Sequence, residues 1–274
     1  MFENLLTNNL NVNFFEKSNC YAFEIPNFLS DDQYNALYKN FPNIKKNEAH
    51  NFNEAFDDKD SQHQLKAFVT EVYPDKYNKL ITENPILNEF TQTFKNPKLS
   101  DLFIKKFFFK ILKSRIFDSK NFLKLLIRKN RSISKKSDSL IDKFLYNDIL
   151  TTVGLTYMYN GSQAFPHTDG IKKIMSLLLY FPDENVSHET NKNLGATFYD
   201  SNEFNLTGFG KNNAQTFKDS ENFKKKNKAS MTFPFKKKNL YGFIKSHKSW
   251  HSVEPFDVHD DFVRKNINMN FLLV

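Results

Sequence analysis

The sequence predicts an α+β fold, with a mainly helical N-terminal half and a C-terminal half built from short antiparallel strands. Before residue 149, apolar residues recur mostly at helical spacing between polar stretches. From Ile149 onward, short runs rich in Thr, Val, Tyr, Leu and Phe follow one another with turn residues between them and no intervening helix. This second pattern is typical of a β-sandwich or barrel.

The N-terminal part, residues 1–98, is expected to begin with a strand and a helix. Apolar alternation over Tyr21–Ile25 predicts the strand. Ser30 is a favourable N-cap for the helix that follows it, and Pro42 lies beyond the expected end of that helix. The next elements are expected to be a loop with some helix over 45–64 and helices over 65–72 and 85–94.

Residues 99–148 are predicted to form a basic insertion of two or three amphipathic helices. Between Lys105 and Lys136 there are twelve Lys or Arg residues and one acid, Asp118. A second lysine cluster lies within 224–238. Basic stretches attract polyanions, and a basic amphipathic helix can lie on anionic headgroups. The insertion is therefore a candidate for peripheral contact with an anionic membrane or another polyanion, with a solvated surface as the alternative.

The C-terminal part, residues 149–274, is predicted to be the β core of a single domain that spans 1–274. Each expected strand is a short β-type run bounded by turn residues. The expected strands cover 150–159, 174–181, 194–199, 230–235, 239–244 and 266–273.

Cysteine and hydropathy patterns favour a cytoplasmic location. Cys20 is the single cysteine, so no disulfide can form within the chain. The first residues lack a basic stretch followed by an apolar run, and no segment offers about 18 uninterrupted apolar residues. We expect a cytoplasmic protein, with the membrane surface as a further place of action through the basic insertion.

Two histidines and a carboxylate form the candidate metal site. His167 and Asp169 are two residues apart, so a strand would place both side chains on one face. His251 follows several predicted strands later, where a sandwich could fold it back against His167. Two histidines and one carboxylate on one face of an Fe(II) ion leave open positions for an oxygen molecule and a chelating 2-oxo acid.

Two other histidines compete with His251 for the third position. His247 lies in a lysine-rich turn, and His259 lies in an acidic loop. Both are expected to be more exposed than His251, which is therefore the preferred ligand.

Arg264 is the candidate holder of an acidic co-substrate. In the last predicted strand, Arg264, Asn266, Asn268 and Asn270 alternate with less polar residues, which indicates that one face lines a polar cavity. A guanidinium matches a carboxylate in bidentate fashion. The alternative for Arg264 is a surface ion pair with Asp260 or Asp261.

These residues resemble the 2-oxoglutarate- and Fe(II)-dependent dioxygenases, specifically their prolyl 4-hydroxylase-like branch. The similarity is firm over about residues 149–274 and loose over the N-terminal third, and it assigns no role to the basic insertion. The matched pieces are residues 27–32, His167-Thr168-Asp169, residues 195–199, residues 249–253, and Arg264 with Asn266.

The resemblance implies a double-stranded β-helix, or jelly roll, with Fe(II) held by His167, Asp169 and His251. Arg264 would bind 2-oxoglutarate, helped by Asn266 and by the hydroxyl of Tyr157. Oxygen would be the second co-substrate, and succinate and carbon dioxide would be released as a C–H bond is hydroxylated. Relatives that halogenate carry a small residue in place of the carboxylate, so Asp169 disfavours halogenation. Tyr159 and Tyr180 are the alternatives to Tyr157.

The resemblance leaves the substrate open among a small molecule, a glycan or lipid-linked intermediate, and a peptidyl proline. Nucleic acid is disfavoured, because demethylases of the superfamily carry a second arginine shortly after the first, and the stretch after Arg264 has none. The oligomeric state is not predicted. The alternative to an enzyme is a non-catalytic jelly-roll module that binds a polyanion or a membrane surface.

Overall fold

Two β-sheets face each other in the computed structural model of the chain, and helices cover the outer face of the larger sheet. The structure describes residues 1–7, 10–16, 20–59, 61, 63–71, 74–117, 119–133, 145–183, 186–187, 193–203, 213 and 216–274.

The larger sheet has eight strands in the order β1-β2-β10-β7-β12-β5-β3, with β4 pairing parallel to β5. Its strands are β1 (Asn13–Phe14), β2 (Ala22–Ile25), β3 (Lys66–Val69), β4 (Lys129–Ile133), β5 (Tyr146–Tyr159), β7 (Lys173–Phe181), β10 (Leu240–Ile244) and β12 (Val263–Leu273).

The smaller sheet has four strands in the order β6-β11-β8-β9. Successive strands alternate between the two sheets from β5 to β8 and again from β9 to β12, which is the arrangement of a jelly roll. Its strands are β6 (Ala164–His167), β8 (Thr197–Asp200), β9 (Lys228–Thr232) and β11 (His251–Val253).

The described helices precede or interrupt these strands. The first, α1, begins at a capping box in which Ser30 and Gln33 bond each other's backbone N–H groups, as the sequence predicts for Ser30. None of the described helices is long and apolar enough to span a bilayer. The α-helices are α1 (Asp31–Lys39), α2 (Pro74–Thr82), α3 (Pro85–Lys95), α4 (Pro97–Ser114), α5 (Ser119–Ile127) and α6 (Phe217–Lys226), with 3-10 helices at Glu3–Leu6 and Lys46–Phe52.

The larger sheet is buried on both faces. On its outer face, residues such as Leu155 and Ile267 pack with Phe90, Phe94 and Phe103 of α3 and α4. On its inner face, residues such as Met158 and Phe243 pack with Phe198 of the smaller sheet. Burial on both sides fixes the register of the central strands, because a slip by one residue would exchange the two faces.

Several sequence expectations need correction. Residues 66–69 form β3 where a helix was expected over 65–72, because this short segment is buried on both faces and pairs with β5. The basic insertion contains α4 and α5 but also β4, and residues 134–144 of it lie outside the described residues. The C-terminal half includes α6, which the sequence reading did not predict, and the α2 helix was also missed.

Candidate metal centre

A cavity of about 310 Å³ lies between the two sheets. The larger sheet lines it with β3, β5, β7 and β12, and the smaller sheet lines it with β6 and β11. Ligand pockets in proteins generally range from about 300 to 1,000 Å³, so this cavity is at the small end of the range. All three predicted metal ligands and Arg264 border it.

His167 and His251 face each other because their strands pair directly. The antiparallel pairing of β6 with β11 sets His167 opposite His251, and their ring centroids are 4.3 Å apart. Residues 84 positions apart in the sequence thus become neighbours through one strand pair. Asp169 follows β6, and the ligand atoms of the three residues all lie within 4.8 Å of one another.

Both histidine rings are oriented by backbone carbonyls. His167 Nδ1 lies 2.7 Å from the carbonyl oxygen of Phe165, and His251 Nδ1 lies 2.9 Å from that of Ser249. A carbonyl oxygen accepts only, so each Nδ1 carries the proton and each Nε2 keeps a free lone pair. In metal-binding histidines, a hydrogen bond from the ring nitrogen that does not bind the metal fixes the tautomer in this way.

Asp169 is held from two sides. The Lys173 ammonium donates to Oδ1 at 2.7 Å, and the Ser176 hydroxyl donates to Oδ2 at 3.0 Å. The turn that carries Asp169 is fastened by Asn213, whose side-chain oxygen accepts the Thr168 N–H at 3.1 Å and whose amide donates to the Thr168 carbonyl at 3.3 Å. The carboxylate is therefore placed before any ligand enters.

The protonation states suit a divalent cation. Burial, with the nearby His251, lowers the pKa of His167 to about 3, and burial also lowers the pKa of His251. For Asp169, burial alone would raise the pKa, but Lys173 and the two histidines outweigh it and hold the pKa below its usual range. Near neutral pH the site offers two neutral imidazoles and one carboxylate, the forms in which these groups bind metals.

The donor set fits an Fe(II) ion. Two His nitrogens and one carboxylate on one side of an ion are diagnostic of non-haem Fe(II) oxygenases. Two buried atoms of the cavity residues, Thr168 Oγ1 and Asn268 Oδ1, have no hydrogen-bond partner among the described residues. A polar ligand could form hydrogen bonds with them.

Arg264 brings a buried positive charge to the same cavity. Its side chain is 2% exposed, and burial lowers its pKa. Its guanidinium donates to the Leu194 carbonyl and, at 2.9 Å, to Asn266 Oδ1, and it lies 5.3 Å from the ring centre of Tyr180. Its partners among the described residues are uncharged, and a buried charge without a counter-charge is costly. An anionic ligand would supply that counter-charge.

The three candidate tyrosines lie away from the cavity wall. Tyr157 and Tyr159 project from the outer face of the larger sheet, where their hydroxyls donate to the carbonyls of Pro42 and Ile44. The structure therefore does not bring Tyr157 to the cavity. Tyr180 packs beneath Arg264 and accepts the Ala196 N–H at 3.1 Å, so it supports the guanidinium.

Asn266, unlike the three tyrosines, lines the cavity, and its Oδ1 accepts a hydrogen bond from Arg264. The strand alternation predicted for Arg264, Asn266, Asn268 and Asn270 is present. The first three of these residues border the cavity, and Asn270 does not. The expected alternative for Arg264, an ion pair with Asp260 or Asp261, is wrong, because the guanidinium is buried.

The competing histidines do not join the group. The His247 ring contacts Phe117 at 4.7 Å, and the His259 ring contacts Phe262 at 5.7 Å. Neither residue borders the cavity.

Another cation, Lys66, lines the cavity and was not predicted from the sequence. This residue of β3 is 3% exposed and lines the cavity, with His63 nearby. It pairs with Met158, which also pairs with Arg264 from the other side, so the two cations lie on the same face of the sheet. Burial, with repulsion from Arg264, lowers the pKa of Lys66 to about 7. Its position depended on the β3 pairing, and no local sequence signal pointed to it.

No family model and no curated protein matches the chain. Among solved structures, the chain is similar to SnoK, a non-heme alpha ketoglutarate dependent carbocyclase from nogalamycin biosynthesis, with 10% identity and a TM-score of 0.47 over 94% of this chain and 81% of that one. It is also similar to a Trichoplax adhaerens prolyl hydroxylase in complex with a hypoxia inducible factor peptide, with 12% identity and a TM-score of 0.39 over 99% and 89% of the two chains.

A Pseudomonas putida prolyl-4-hydroxylase matches at 13% identity and a TM-score of 0.28, over 45% of this chain and 49% of that one. The chain thus aligns with about half the length of that hydroxylase. These similarities are loose, and the candidate function rests on the residues of the cavity.

Proposed function

We propose that this chain is an Fe(II)- and 2-oxoglutarate-dependent dioxygenase that hydroxylates an unactivated C–H bond. One observation supports this most strongly. A His-Asp-His group with ligand atoms within 4.8 Å of one another shares a cavity with the buried cation Arg264. In the overall reaction, 2-oxoglutarate, oxygen and R–H become succinate, carbon dioxide and R–OH.

His167, His251 and Asp169 would hold the iron from one side. Bound iron supplies the redox chemistry that couples oxygen to decarboxylation of the 2-oxo acid. Ser176 and Lys173 hold the Asp169 carboxylate in place. The backbone carbonyls occupy both Nδ1 atoms, which leaves both Nε2 atoms free to bind the metal. The protein's contribution at this point is a fixed, largely buried donor set.

Arg264 would bind the carboxylate of 2-oxoglutarate that does not chelate iron. Its buried guanidinium is fixed by Leu194 and Asn266, so little side-chain entropy is lost when an anion binds. The burial also keeps water away, which strengthens a charge-assisted hydrogen bond.

The cavity size bears on the substrate. A space of about 310 Å³ must take 2-oxoglutarate and the reacting group of the substrate together. A peptide, glycan or lipid-linked substrate would therefore insert its reacting group and leave the rest outside, whereas a small molecule could enter whole. Both classes remain within the proposal.

Succinate formation tests the proposal directly. Purified protein is incubated in air with Fe(II), ascorbate and 2-oxoglutarate, and succinate is measured over hours to detect turnover without added substrate. We expect the native protein to form succinate and Asp169→Ala to form none, because the carboxylate ligand is lost. His259→Ala serves as the matched control, since this exposed histidine lies outside the cavity.

Two outcomes separate an enzyme from a binding module. If succinate formation depends on Asp169 and not on His259, the dioxygenase assignment holds. If the native protein binds Fe(II) and 2-oxoglutarate but forms no more succinate than Asp169→Ala, the assignment fails and a non-catalytic jelly roll takes its place.

A further inference from the structure

Exposed hydrophobic side chains are concentrated in a short part of the basic insertion. Among the described residues, twelve large hydrophobic side chains are exposed, and six of them lie between residues 109 and 127. Clusters of exposed hydrophobic side chains on a protein surface mark interaction sites, whereas isolated exposed hydrophobic residues are common. The six are Phe109, Ile116, Phe117, Leu123, Leu126 and Ile127, with exposures from 51% to 81%.

The spacing of these residues gives each helix an outward face. On α4, Lys105, Phe109 and Lys113 are four residues apart and all exposed, while Phe107 and Ile111 on the opposite side are buried. On α5, Leu123, Leu126 and Ile127 lie at helical spacing around the buried Leu125. We call the exposed residues of this region the α4–α5 surface, comprising Lys105, Lys106, Phe109, Lys113, Ile116, Phe117, Leu123, Leu126 and Ile127.

This surface is strongly basic as well as apolar. Residues 105–133 of the sequence contain ten Lys or Arg residues and one acid, Asp118. A partner must therefore tolerate aliphatic contact and supply negative charge. A nucleic acid would satisfy the charge and could stack on Phe109 and Phe117, but four of the six exposed hydrophobic side chains are Ile or Leu, which offer neither base stacking nor hydrogen bonds to it.

The α4–α5 surface adjoins the turn that follows Asp169 and the loop that precedes His251. Arg115, at the end of α4, donates to the carbonyls of Ile171 and Lys173 in the turn that follows Asp169, at 2.6 Å for Ile171. Phe117 contacts the ring of His247 at 4.7 Å, four residues before His251. A partner seated on this surface would therefore lie close to the metal centre.

We propose that the α4–α5 surface binds the headgroup region of an anionic phospholipid bilayer. The lysines contact the charged headgroups, and Phe109, Phe117 and Ile127 enter the boundary with the acyl chains, as interfacial amphipathic helices do. Binding places the metal centre next to the membrane surface. The inference does not depend on the dioxygenase assignment, because no residue of the α4–α5 surface lines the cavity.

Vesicle cosedimentation tests the proposal on the full chain. Vesicles of phosphatidylcholine are compared with vesicles that contain about 30 mol% phosphatidylglycerol, at low and at physiological salt. We expect binding to the anionic vesicles to be at least about tenfold stronger and to weaken as salt rises.

Two double variants separate the apolar and the charged contributions. Phe117→Ser with Ile127→Ser, and Lys105→Gln with Lys113→Gln, should each weaken binding to anionic vesicles by about tenfold. Matched controls are Phe217→Ser, at an exposed aromatic residue on α6, and Lys236→Gln with Lys237→Gln, at exposed lysines outside the insertion. Both controls should bind as the native protein does. Circular dichroism and the unfolding midpoint establish that each variant is folded.

Three results would overturn the proposal. The native protein could fail to sediment with anionic vesicles at low salt. The folded Phe117→Ser, Ile127→Ser variant could bind anionic vesicles as well as the native protein does. If both proteins also bound single-stranded DNA equally well, the surface would be a general polyanion site. Light scattering could reveal a dimer that the apolar variant dissociates, in which case a second copy covers the surface.

Discussion

Replacing Lys66 by methionine should flatten the pH dependence of stability above pH 7. The Lys66 ammonium is 3% exposed, and burial, with repulsion from Arg264, lowers its pKa from 10.5 to about 7. Between these two values the unfolded chain holds a proton that the folded protein has released. Stability therefore rises with pH across this window, and the full cost of burying the charge is present below pH 7.

The pKa difference sets the magnitude. A difference between 10.5 and about 7 corresponds to a cost on the order of 5 kcal/mol at low pH, of which about 2 kcal/mol is regained between pH 7 and pH 9. Methionine has similar length and no charge, so Lys66→Met should be more stable than the native protein near pH 7. The advantage should shrink as pH rises.

Urea unfolding of metal-free protein at pH 7 and pH 9 measures the effect. The native protein should gain about 2 kcal/mol more in unfolding free energy over this interval than Lys66→Met gains. Lys172→Met, at an exposed lysine, is the matched control and should keep the native pH dependence. Equal pH dependence in the native protein and Lys66→Met would refute the claim that burial suppresses the charge of Lys66.

Three further predictions concern co-substrate binding and the fold. Arg264→Met should weaken 2-oxoglutarate binding by about ten- to hundredfold, the loss expected for a hydrogen bond to a charged group, while calorimetry still detects Co(II) binding; unchanged 2-oxoglutarate affinity would remove Arg264 from the site. Gly195→Ala should lower the thermal midpoint far more than Gly154→Ala, because a Cβ at Gly195 would lie 1.8 Å from the Phe233 carbonyl oxygen, whereas at Gly154 its nearest contact is a side-chain methyl at 2.9 Å; equal midpoints would contradict the packing. Ser30→Ala should cost about 1 kcal/mol through loss of the α1 cap, and Ser30→Asp should restore most of it in urea unfolding, unless the cap contributes nothing.

The sequence was most informative where local pattern and chemistry coincide. The alternation of Arg264, Asn266, Asn268 and Asn270 in the last strand predicted a polar cavity face, and the first three of these residues line the cavity. His167, Asp169 and His251 could be singled out by residue type and by the strands around them. The structure adds that His167 and His251 are directly opposed in register.

Features that depend on strand register could not be predicted from local pattern. The resemblance implied that Tyr157 contacts 2-oxoglutarate, yet its neighbour Met158 is the residue that pairs with Arg264 and shares its face. Antiparallel pairing places directly opposed residues on the same face, so Tyr157 must face the other way. Without the register, the sequence could not show whether Tyr157 or Met158 faces the cavity.

Short segments buried on both faces were also missed. In β3, Lys66 borders the cavity while Ala67 and Val69 pack into the outer core. The segment therefore lacks the alternation of exposed polar and buried apolar residues that identifies a strand in a sequence. The α6 helix had a visible signal in Thr216 and Asp219, which form a capping box. The prediction of an uninterrupted β half left no place for it.

Anaerobic titration of the metal-free protein with Fe(II) and then 2-oxoglutarate tests the central claim most directly. We expect a weak visible charge-transfer band that saturates at one 2-oxoglutarate per iron. The band should be absent in His251→Ala, retained in His259→Ala, and reached only at much higher 2-oxoglutarate in Arg264→Met. Absence of the band in folded native protein, or its persistence in His251→Ala, would contradict the assignment of this cavity as an iron and 2-oxoglutarate site.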